Sequence, residues 1–107
     1  MGISIGYLQE YIKAKDYNPD MKDKYFMKLA EEVGELSRAM RKNLHAECED
    51  NVKDTIGEEL WDVIYYAIAL ANCYKIDLEK VIPLKEKLGN EKYGNNIEFN
   101  PPCGAGE

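Results

Sequence analysis

Histidine is almost absent from this 107-residue sequence, and its scarcity excludes several kinds of metal site. The one histidine, His45, cannot supply the pair of ligands that a two-histidine zinc site needs within one chain. It also cannot supply the Glu-x-x-His pairs of di-iron carboxylate bundles. The sequence therefore argues against both kinds of centre.

Cysteine and long apolar runs are scarce as well. The three cysteines, Cys48, Cys73 and Cys103, form no C-x-x-C pair and fit a reduced cytosol better than a disulfide framework. No apolar run approaches the roughly 18 residues of a membrane span. The first seven residues lack the basic and apolar regions of a secretory signal. We expect a cytoplasmic protein without membrane contact.

Positive charge is in deficit, since 20 acidic residues face 14 basic ones and the net charge is −6. A protein that grips a nucleic-acid backbone needs Lys and Arg to replace counterions, so the balance argues against a polymeric nucleic-acid partner. The same balance is compatible with a small phosphate ligand held through a metal ion.

Helical spacing of apolar residues is what the sequence does contain. It predicts a first helix over about residues 3–15, ending before Asn18-Pro19. A second helix carries one continuous apolar stripe, and a polar loop follows over residues 45–54. The stripe consists of Phe26, Leu29, Val33, Leu36, Met40 and Leu44.

Two further helices follow the loop. Thr55 and Glu58 form a capping box that opens a third helix, which runs to about Tyr74. Asp77 can cap a fourth helix, in which Pro83 is expected to cause a kink or a split. No alternating strand pattern is present. The fold class is therefore all-α, a bundle of four to five helices, with residues 1–94 as one domain and residues 95–107 as an irregular tail.

Clusters of acids on the two middle helices are the features that suggest chemistry. The second helix contains Glu31, Glu32 and Glu35, and the third contains Glu58, Glu59 and Asp62. Either cluster alone is typical of a solvated helix face. Glu58 is expected to be used in its cap, and Glu31 to point away from the others.

A helical wheel places four of these acids beside the apolar stripes. Glu32 and Glu35 lie to one side of the second-helix stripe, and Glu59 and Asp62 lie to the same side of the third-helix stripe. If the two helices are antiparallel neighbours, the four carboxylates converge on one flank. Such carboxylates repel one another unless a cation neutralises them, and oxygen ligands suit Mg²⁺ or Mn²⁺.

The flank predicted by the wheel contains two other groups. Lys28 lies one turn before Glu32 and Tyr66 one turn after Asp62, so each can reach a ligand on the metal. The main apolar stripe of the third helix consists of Leu60, Val63, Ile64, Ala67 and Ala71. A second apolar stripe on that helix, Trp61, Tyr65 and Ile68, is expected to meet a second layer, either the core or another subunit.

The strings Lys28-Leu-Ala-Glu31-Glu32-Val-Gly-Glu35-Leu and Glu59-Leu-Trp-Asp62-Val-Ile-Tyr-Tyr66 resemble the MazG-like nucleoside triphosphate pyrophosphohydrolases. The family signature is E-E-x-x-E, a variable spacer and then E-x-x-D. Here 23 residues separate Glu35 from Glu59. The resemblance continues to Tyr93 and covers roughly residues 25–94.

The resemblance implies an all-α dimer or dimer of dimers. It also implies Mg²⁺-dependent hydrolysis of a nucleoside triphosphate to the monophosphate and pyrophosphate. The implied metal ligands are Glu32, Glu35, Glu59 and Asp62, and Glu31 is implied as a candidate for orienting or deprotonating the attacking water. Lys85 matches a family lysine that contacts substrate phosphates, and Tyr66 matches a tyrosine of the substrate pocket. With Lys28 from the helical wheel, and Asn90 and Tyr93 near the end of the resemblance, they are the candidate substrate contacts.

The chain departs from the family pattern near its substrate-contacting end. Gly89 stands where an asparagine often precedes the tyrosine matching Tyr93, and Asn90 follows it. Lys92 replaces an arginine, and Pro83 is unusual for the fourth helix.

Other functions remain open from the sequence. Sister families with this fold act on dUTP or on phosphoribosyl-ATP. A non-catalytic helical interaction module would use Trp61 and Tyr65 for association and leave the acids as solvated charge. A carboxylate-bridged iron protein is disfavoured by the missing histidines.

Overall fold

Four α-helices account for most of the chain in a computed structural model that describes residues 2–44, 52–94 and 96–101. They are α1 (Ile5–Lys15), α2 (Lys22–Arg41), α3 (Ile56–Cys73) and α4 (Leu78–Lys92). A short 3-10 helix, Pro19–Met21, joins α1 to α2. Within the described ranges there is no strand, so the all-α prediction is confirmed. His45, Cys48, Cys103 and most of the predicted loop lie outside these ranges.

Side-chain caps begin three of the helices. The Ser4 hydroxyl accepts a hydrogen bond from the N–H of Tyr7, and the Asp77 carboxylate accepts one from the N–H of Glu79. The Thr55 hydroxyl accepts from the N–H of Glu58 at 3.2 Å, as the capping box predicts. The Glu58 carboxylate accepts from the N–H of Asp54 at 2.6 Å, one residue before the position that a standard capping box would satisfy.

The structure contains no split at Pro83. α4 is a single helix from Leu78 to Lys92 with Pro83 inside it. Proline donates no backbone hydrogen bond, which leaves the carbonyl of Glu79 without its helical partner. Because Glu79 is exposed, water can bond this carbonyl, and the helix continues.

The helices α2 and α3 share the most extensive contact in the molecule and run antiparallel. The N–H of Ile56, at the start of α3, donates to the carbonyl of Leu44, just after the end of α2, at 2.8 Å. Further along the pair, Glu32 on α2 meets Glu59 and Asp62 on α3. α1 packs against α3, and α4 packs mainly against α1.

Polar side chains lock α1 to the junction between α3 and α4. The Gln9 amide donates to the Asn72 side chain and to the Ile76 carbonyl, and it accepts from the N–H of Leu78. The Asn72 amide in turn donates to the Gln9 carbonyl. At the start of α1, the N–H of Gly6 donates to the Glu79 carboxylate at 2.8 Å. The negative charge of this carboxylate is stabilised by the positive end of the α1 helix dipole.

The hydrophobic core lies where α1 packs against α3, with Tyr25 of α2 beside them. Its buried members are Ile12, Tyr25, Ile68, Ala69 and Cys73. Partly buried side chains surround them, among them Leu8, Trp61, Tyr65, Tyr66 and Leu70. The stripe containing Trp61, Tyr65 and Ile68 therefore packs inside this chain.

The predicted apolar stripes of α2 and α3 are only partly covered within this chain. Met40 is 60% exposed, Val33 50% and Ile64 45%, and each belongs to one of these stripes. Both helices are apolar on two sides. A helical wheel shows the two sides and cannot show which one α1 covers. The exposed stripes leave an apolar surface along the α2–α3 pair.

No helix among the described residues combines the length and the apolar character that crossing a membrane requires.

Candidate metal centre

Three carboxylates from α2 and α3 meet on one flank of the helix pair. Glu32 on α2 and Glu59 and Asp62 on α3 each place one oxygen within 4.8 Å of the others. The spacing explains the meeting, because Glu59 and Asp62 are one turn apart on the helix that runs alongside Glu32. These are three of the four acids that the helical wheel placed on one flank.

Glu59 is the buried member of this group. Only 7% of the residue is exposed, while Glu32 and Asp62 are half-buried. Its Oε1 atom is buried and has no hydrogen-bond partner among the described residues. A buried carboxylate oxygen without a donor costs free energy, typically about 1–3 kcal/mol and more when it is charged.

Burial and neighbouring negative charge make the ionised forms of these acids unfavourable. Burial, followed by the Glu32 carboxylate beside it, raises the pKa of Glu59 to about 7. Burial also raises the pKa of Asp62, and the charge of Glu32 adds to this effect. Without a cation Glu59 is therefore only partly ionised at neutral pH.

The donor set fits a hard divalent cation. Carboxylate oxygens are the ligands preferred by Mg²⁺ and Mn²⁺, and a cation would satisfy the unpartnered Oε1 of Glu59 and remove the repulsion between the acids. Within the described part of the chain, the clusters with metal-ligand geometry consist of carboxylates alone.

Glu35, the fourth predicted ligand, lies outside the cluster. Its Oε1 atom is 3.2 Å from Nη1 of Arg38, and both side chains are about half exposed. It is still one turn from Glu32 on the same helix. The structure therefore places Glu35 beside the site with its carboxylate paired elsewhere.

Lys28 and Tyr66 border the cluster. The pKa of Lys28 is raised by the nearby charge of Glu31 first, and the proximity of Tyr66 and Glu32 contributes to the same shift. Burial raises the pKa of Tyr66, Lys28 opposes this rise, and the charges of Glu32 and Asp62 add to it. Both groups thus lie within electrostatic reach of the carboxylates.

Glu31 faces away from the carboxylate cluster. Its Oε1 atom is 3.5 Å from Nζ of Lys28, and the Glu31 side chain is 61% exposed.

Lys85, Asn90 and Tyr93 lie on or just after α4, which packs mainly against α1 rather than beside the cluster. The Asn90 side chain donates to the Ile97 carbonyl at 2.8 Å. Lys85 is exposed, and Tyr93 is exposed at the C-terminal cap of α4. A single chain does not bring these three residues to the carboxylates.

A second acidic group and an aromatic network were not found from the sequence. Asp54 and Glu58 each place an oxygen within 4.8 Å of one on Glu59. The aromatic network is centred on Asp16, which accepts hydrogen bonds from Tyr25 of α2 and Tyr65 of α3. Asp54 is adjacent to the predicted capping box, which could have signalled the first group. The contact of Asp16 depends on tertiary packing and has no local signal.

Comparison with known proteins identifies the family of the chain. Residues 21–92 match the family model described as the MazG nucleotide pyrophosphohydrolase domain. No curated protein matches the chain.

Two crystal structures of iMazG from Vibrio DAT 722 are similar to this chain. The C-terminally tagged form is 45% identical with a TM-score of 0.77, covering 82% of this chain and 99% of that one. The N-terminally tagged form is 46% identical with a TM-score of 0.78, covering 85% of this chain and 98% of that one. The chain therefore belongs to the MazG family of nucleotide pyrophosphohydrolases, hydrolases that act on phosphoric anhydride bonds.

Proposed function

We propose that this protein hydrolyses a nucleoside triphosphate, ribo or deoxy, to the monophosphate and pyrophosphate with Mg²⁺ as its cofactor and Mn²⁺ as a possible substitute. The observation that carries the cofactor assignment is the buried, unpartnered oxygen of Glu59 among the oxygens of Glu32 and Asp62. Three acids in this arrangement destabilise the metal-free protein, and a divalent cation relieves both the repulsion and the missing hydrogen bond.

Glu32, Glu59 and Asp62 would hold the cation, and Glu35 would complete the set. The Glu35–Arg38 pair is exposed, and such pairs contribute about 0–1 kcal/mol, so the Glu35 carboxylate can leave Arg38 at little cost. When bound, the cation offsets phosphate charge and makes a coordinated water more acidic.

The groups around the carboxylates bind and orient the substrate in this proposal. Lys28 offers a positive charge to the phosphates at the edge of the acidic cluster, and Glu31 holds this lysine by their ion pair. The Tyr66 hydroxyl is a neutral donor beside the same acids, because a phenol is protonated at neutral pH and burial raises the pKa of this one further. Glu31 acts here through Lys28 instead of on the attacking water.

Assembly would bring the residues of α4 to the substrate. The apolar stripes of α2 and α3 are exposed in the single chain, and a second copy covering them would form a homodimer or a homotetramer. We propose that Lys85, Asn90 and Tyr93 contact the substrate in that assembly. A cytoplasmic location, inferred from an odd number of cysteines without a C-x-x-C pair, completes the proposal.

The test is pyrophosphate release from a panel of NTPs and dNTPs, dUTP included, with Mg²⁺, with Mn²⁺ and with EDTA. We expect release that requires the metal and that falls by several orders of magnitude in Asp62→Asn. Asp23→Asn, at an acidic position in the first turn of α2, is the matched control and should retain activity.

Two outcomes would contradict the proposal. Release that continues unchanged in EDTA would exclude a metal-dependent mechanism. A folded wild-type protein that releases no pyrophosphate from any nucleotide and binds no divalent ion would indicate a helical interaction module instead.

A further inference from the structure

Asp16 has an unusual set of contacts for a residue that ends a helix. It is the C-terminal cap of α1, and each of its carboxylate oxygens accepts a hydrogen bond from a different tyrosine. The Tyr25 hydroxyl donates to Oδ1 at 2.7 Å, and the Tyr65 hydroxyl donates to Oδ2 at 3.0 Å. Hydrogen bonds to an ionised acceptor are among the stronger ones in proteins.

The two tyrosines belong to the two helices that carry the acidic cluster. Tyr25 precedes Glu32 on α2 by seven residues, about 10 Å along the helix axis. Tyr65 follows Asp62 on α3 by three residues, about 4.5 Å along the axis. One carboxylate therefore connects α2 to α3 close to the point where their acids meet.

The network is protected from solvent on the α2 side. Tyr25 is buried in the core, and burial together with its bond to Asp16 raises the pKa of its hydroxyl to about 12. The hydroxyl consequently remains a hydrogen-bond donor to Asp16 across the neutral pH range.

Aromatic contacts extend the network to the edge of the site. The ring of Tyr65 lies 5.1 Å from that of Tyr66 and 5.9 Å from that of Trp61, centroid to centroid, both edge-to-face. Tyr66 lies within electrostatic reach of Lys28 and Glu32. A shift of Tyr65 would therefore move the tyrosine that borders the carboxylates.

We propose that Asp16 is a positioning residue for the metal centre. By holding the hydroxyls of Tyr25 and Tyr65, it sets the spacing of α2 and α3 and thereby the distance from Glu32 to Glu59 and Asp62. This inference rests on the proposed metal-dependent function. The metal affinity of the site then also depends on the Asp16 carboxylate at the end of α1, which contacts neither the metal nor the substrate.

The test is Mn²⁺ binding by the full chain, followed by the electron paramagnetic resonance signal of free Mn²⁺ and thus independent of turnover. We expect Asp16→Ala to weaken Mn²⁺ binding at least tenfold. Tyr25→Phe and Tyr65→Phe should each weaken it severalfold, and Tyr65→Phe should add nothing in the Asp16→Ala background, because the acceptor is already gone. Asp16→Asn, which retains one acceptor oxygen, should be intermediate.

Trp61 supplies a second readout that requires no metal. It is the only tryptophan of the chain and packs against Tyr65. The wavelength of its maximum fluorescence emission should shift in Asp16→Ala and in Tyr65→Phe. It should remain unchanged in a variant that does not move Tyr65. Gln9→Ala is that control, since it weakens the attachment of α1 at the junction of α3 and α4.

Several results would overturn the proposal. Wild-type protein that binds Mn²⁺ together with an Asp16→Ala variant that binds it within twofold would remove the role of Asp16 and leave the proposed function intact. Equal weakening by Gln9→Ala would show a merely structural effect. Wild-type protein that binds no Mn²⁺ would defeat both proposals. If Asp16→Ala fails to fold, the Tyr25→Phe/Tyr65→Phe double variant, which loses only two hydroxyls, decides between these outcomes.

Discussion

At the scale of single residues, the position of Glu59 gives the main reason to expect a cation at the site. It is buried beside two other acids, its Oε1 receives no hydrogen bond from the part of the chain that the structure describes, and its pKa is raised to about 7. Such a group destabilises the folded protein when it is ionised, because both burial and repulsion from the neighbouring acids oppose its charge. Its position is understandable if the protein binds a cation there.

Glu59 should make the metal-free protein less stable as the pH rises. A carboxyl whose pKa is higher in the folded state than in the unfolded state stabilises the fold fully below the unfolded value of 4.5, and this stabilisation is lost as the pH rises through about 7. Glu59→Gln resembles the protonated form at every pH. Without metal, we expect the variant to match wild type near pH 4 and to exceed its free energy of unfolding at pH 8 by about 3 kcal/mol.

Urea unfolding at the two pH values, in EDTA and then in Mg²⁺, measures this effect. Mg²⁺ should stabilise wild type and leave Glu59→Gln nearly unchanged, since a neutral amide is a poor ligand for the cation. A wild-type advantage at pH 8 in EDTA would contradict the assigned pKa shift.

Glu35 and Glu31 give a second test at the residue scale. Glu35→Gln should lower the rate of pyrophosphate release at least tenfold, because an amide would leave the set of metal ligands incomplete. Glu31→Gln should cost less than Glu35→Gln, because Glu31 acts only through its exposed ion pair with Lys28. Steady-state rates of both variants decide the matter, and a Glu35→Gln enzyme with near-normal activity would remove Glu35 from the site.

At the scale of helices, the attachment of α1 depends on a small set of polar contacts. Gln9 satisfies the first free N–H of α4 and the Ile76 carbonyl after α3. Gln9→Ala should therefore lower the free energy of unfolding by about 1–3 kcal/mol, since it leaves half-buried polar groups without partners. Thermal or urea unfolding measures the loss. Glu10→Ala, at an exposed neighbouring position, is the control, and an equal loss there would contradict the argument.

The helices were predictable from the sequence, whereas their packing was only partly so. Thr55 and Asp77 identified the starts of α3 and α4 because capping is a local interaction. Of the two effects expected from Pro83, a kink or a split, the split does not occur, because α4 continues through this residue. The stripe from Phe26 to Leu44 was recognised as apolar, but its covering could not be predicted, since a helical wheel shows that a face is apolar and cannot show what packs against it.

The candidate site, too, was only partly predictable from the sequence. The meeting of Glu32 with Glu59 and Asp62 follows from helical period and antiparallel pairing, both of which can be inferred from local patterns. The orientation of Glu35 toward Arg38 depends on a choice of rotamer. The contact of Asp16 with Tyr65 joins residues 49 positions apart and required the folded chain.

At the scale of the whole molecule, the exposed apolar stripes require an explanation. The surface includes Phe26, Val33, Met40, Leu60 and Ile64, all of which are at least 45% exposed in the single chain. A contiguous apolar surface of this kind is typical of an association interface. It adjoins the flank that carries the acids.

A charge placed within this surface should separate the subunits. We expect wild type to elute as a dimer or tetramer in size-exclusion chromatography with light scattering, and Ile64→Lys to shift toward the monomer. Ile3→Lys, at a residue that is 76% exposed before α1, is the matched control and should retain the wild-type mass. A monomeric wild-type protein at micromolar concentration would contradict assembly through this face.

The most direct test of the account is Mn²⁺ binding by wild type and by Glu59→Gln at pH 7.5, measured by isothermal titration calorimetry on folded protein. Wild type should bind Mn²⁺ saturably and release a fraction of a proton on binding, because Glu59 is only partly protonated at this pH without metal, and the variant should lose at least a hundredfold in affinity. Equal binding by the two proteins, or none by wild type, would contradict the claim that Glu32, Glu59 and Asp62 form a metal centre.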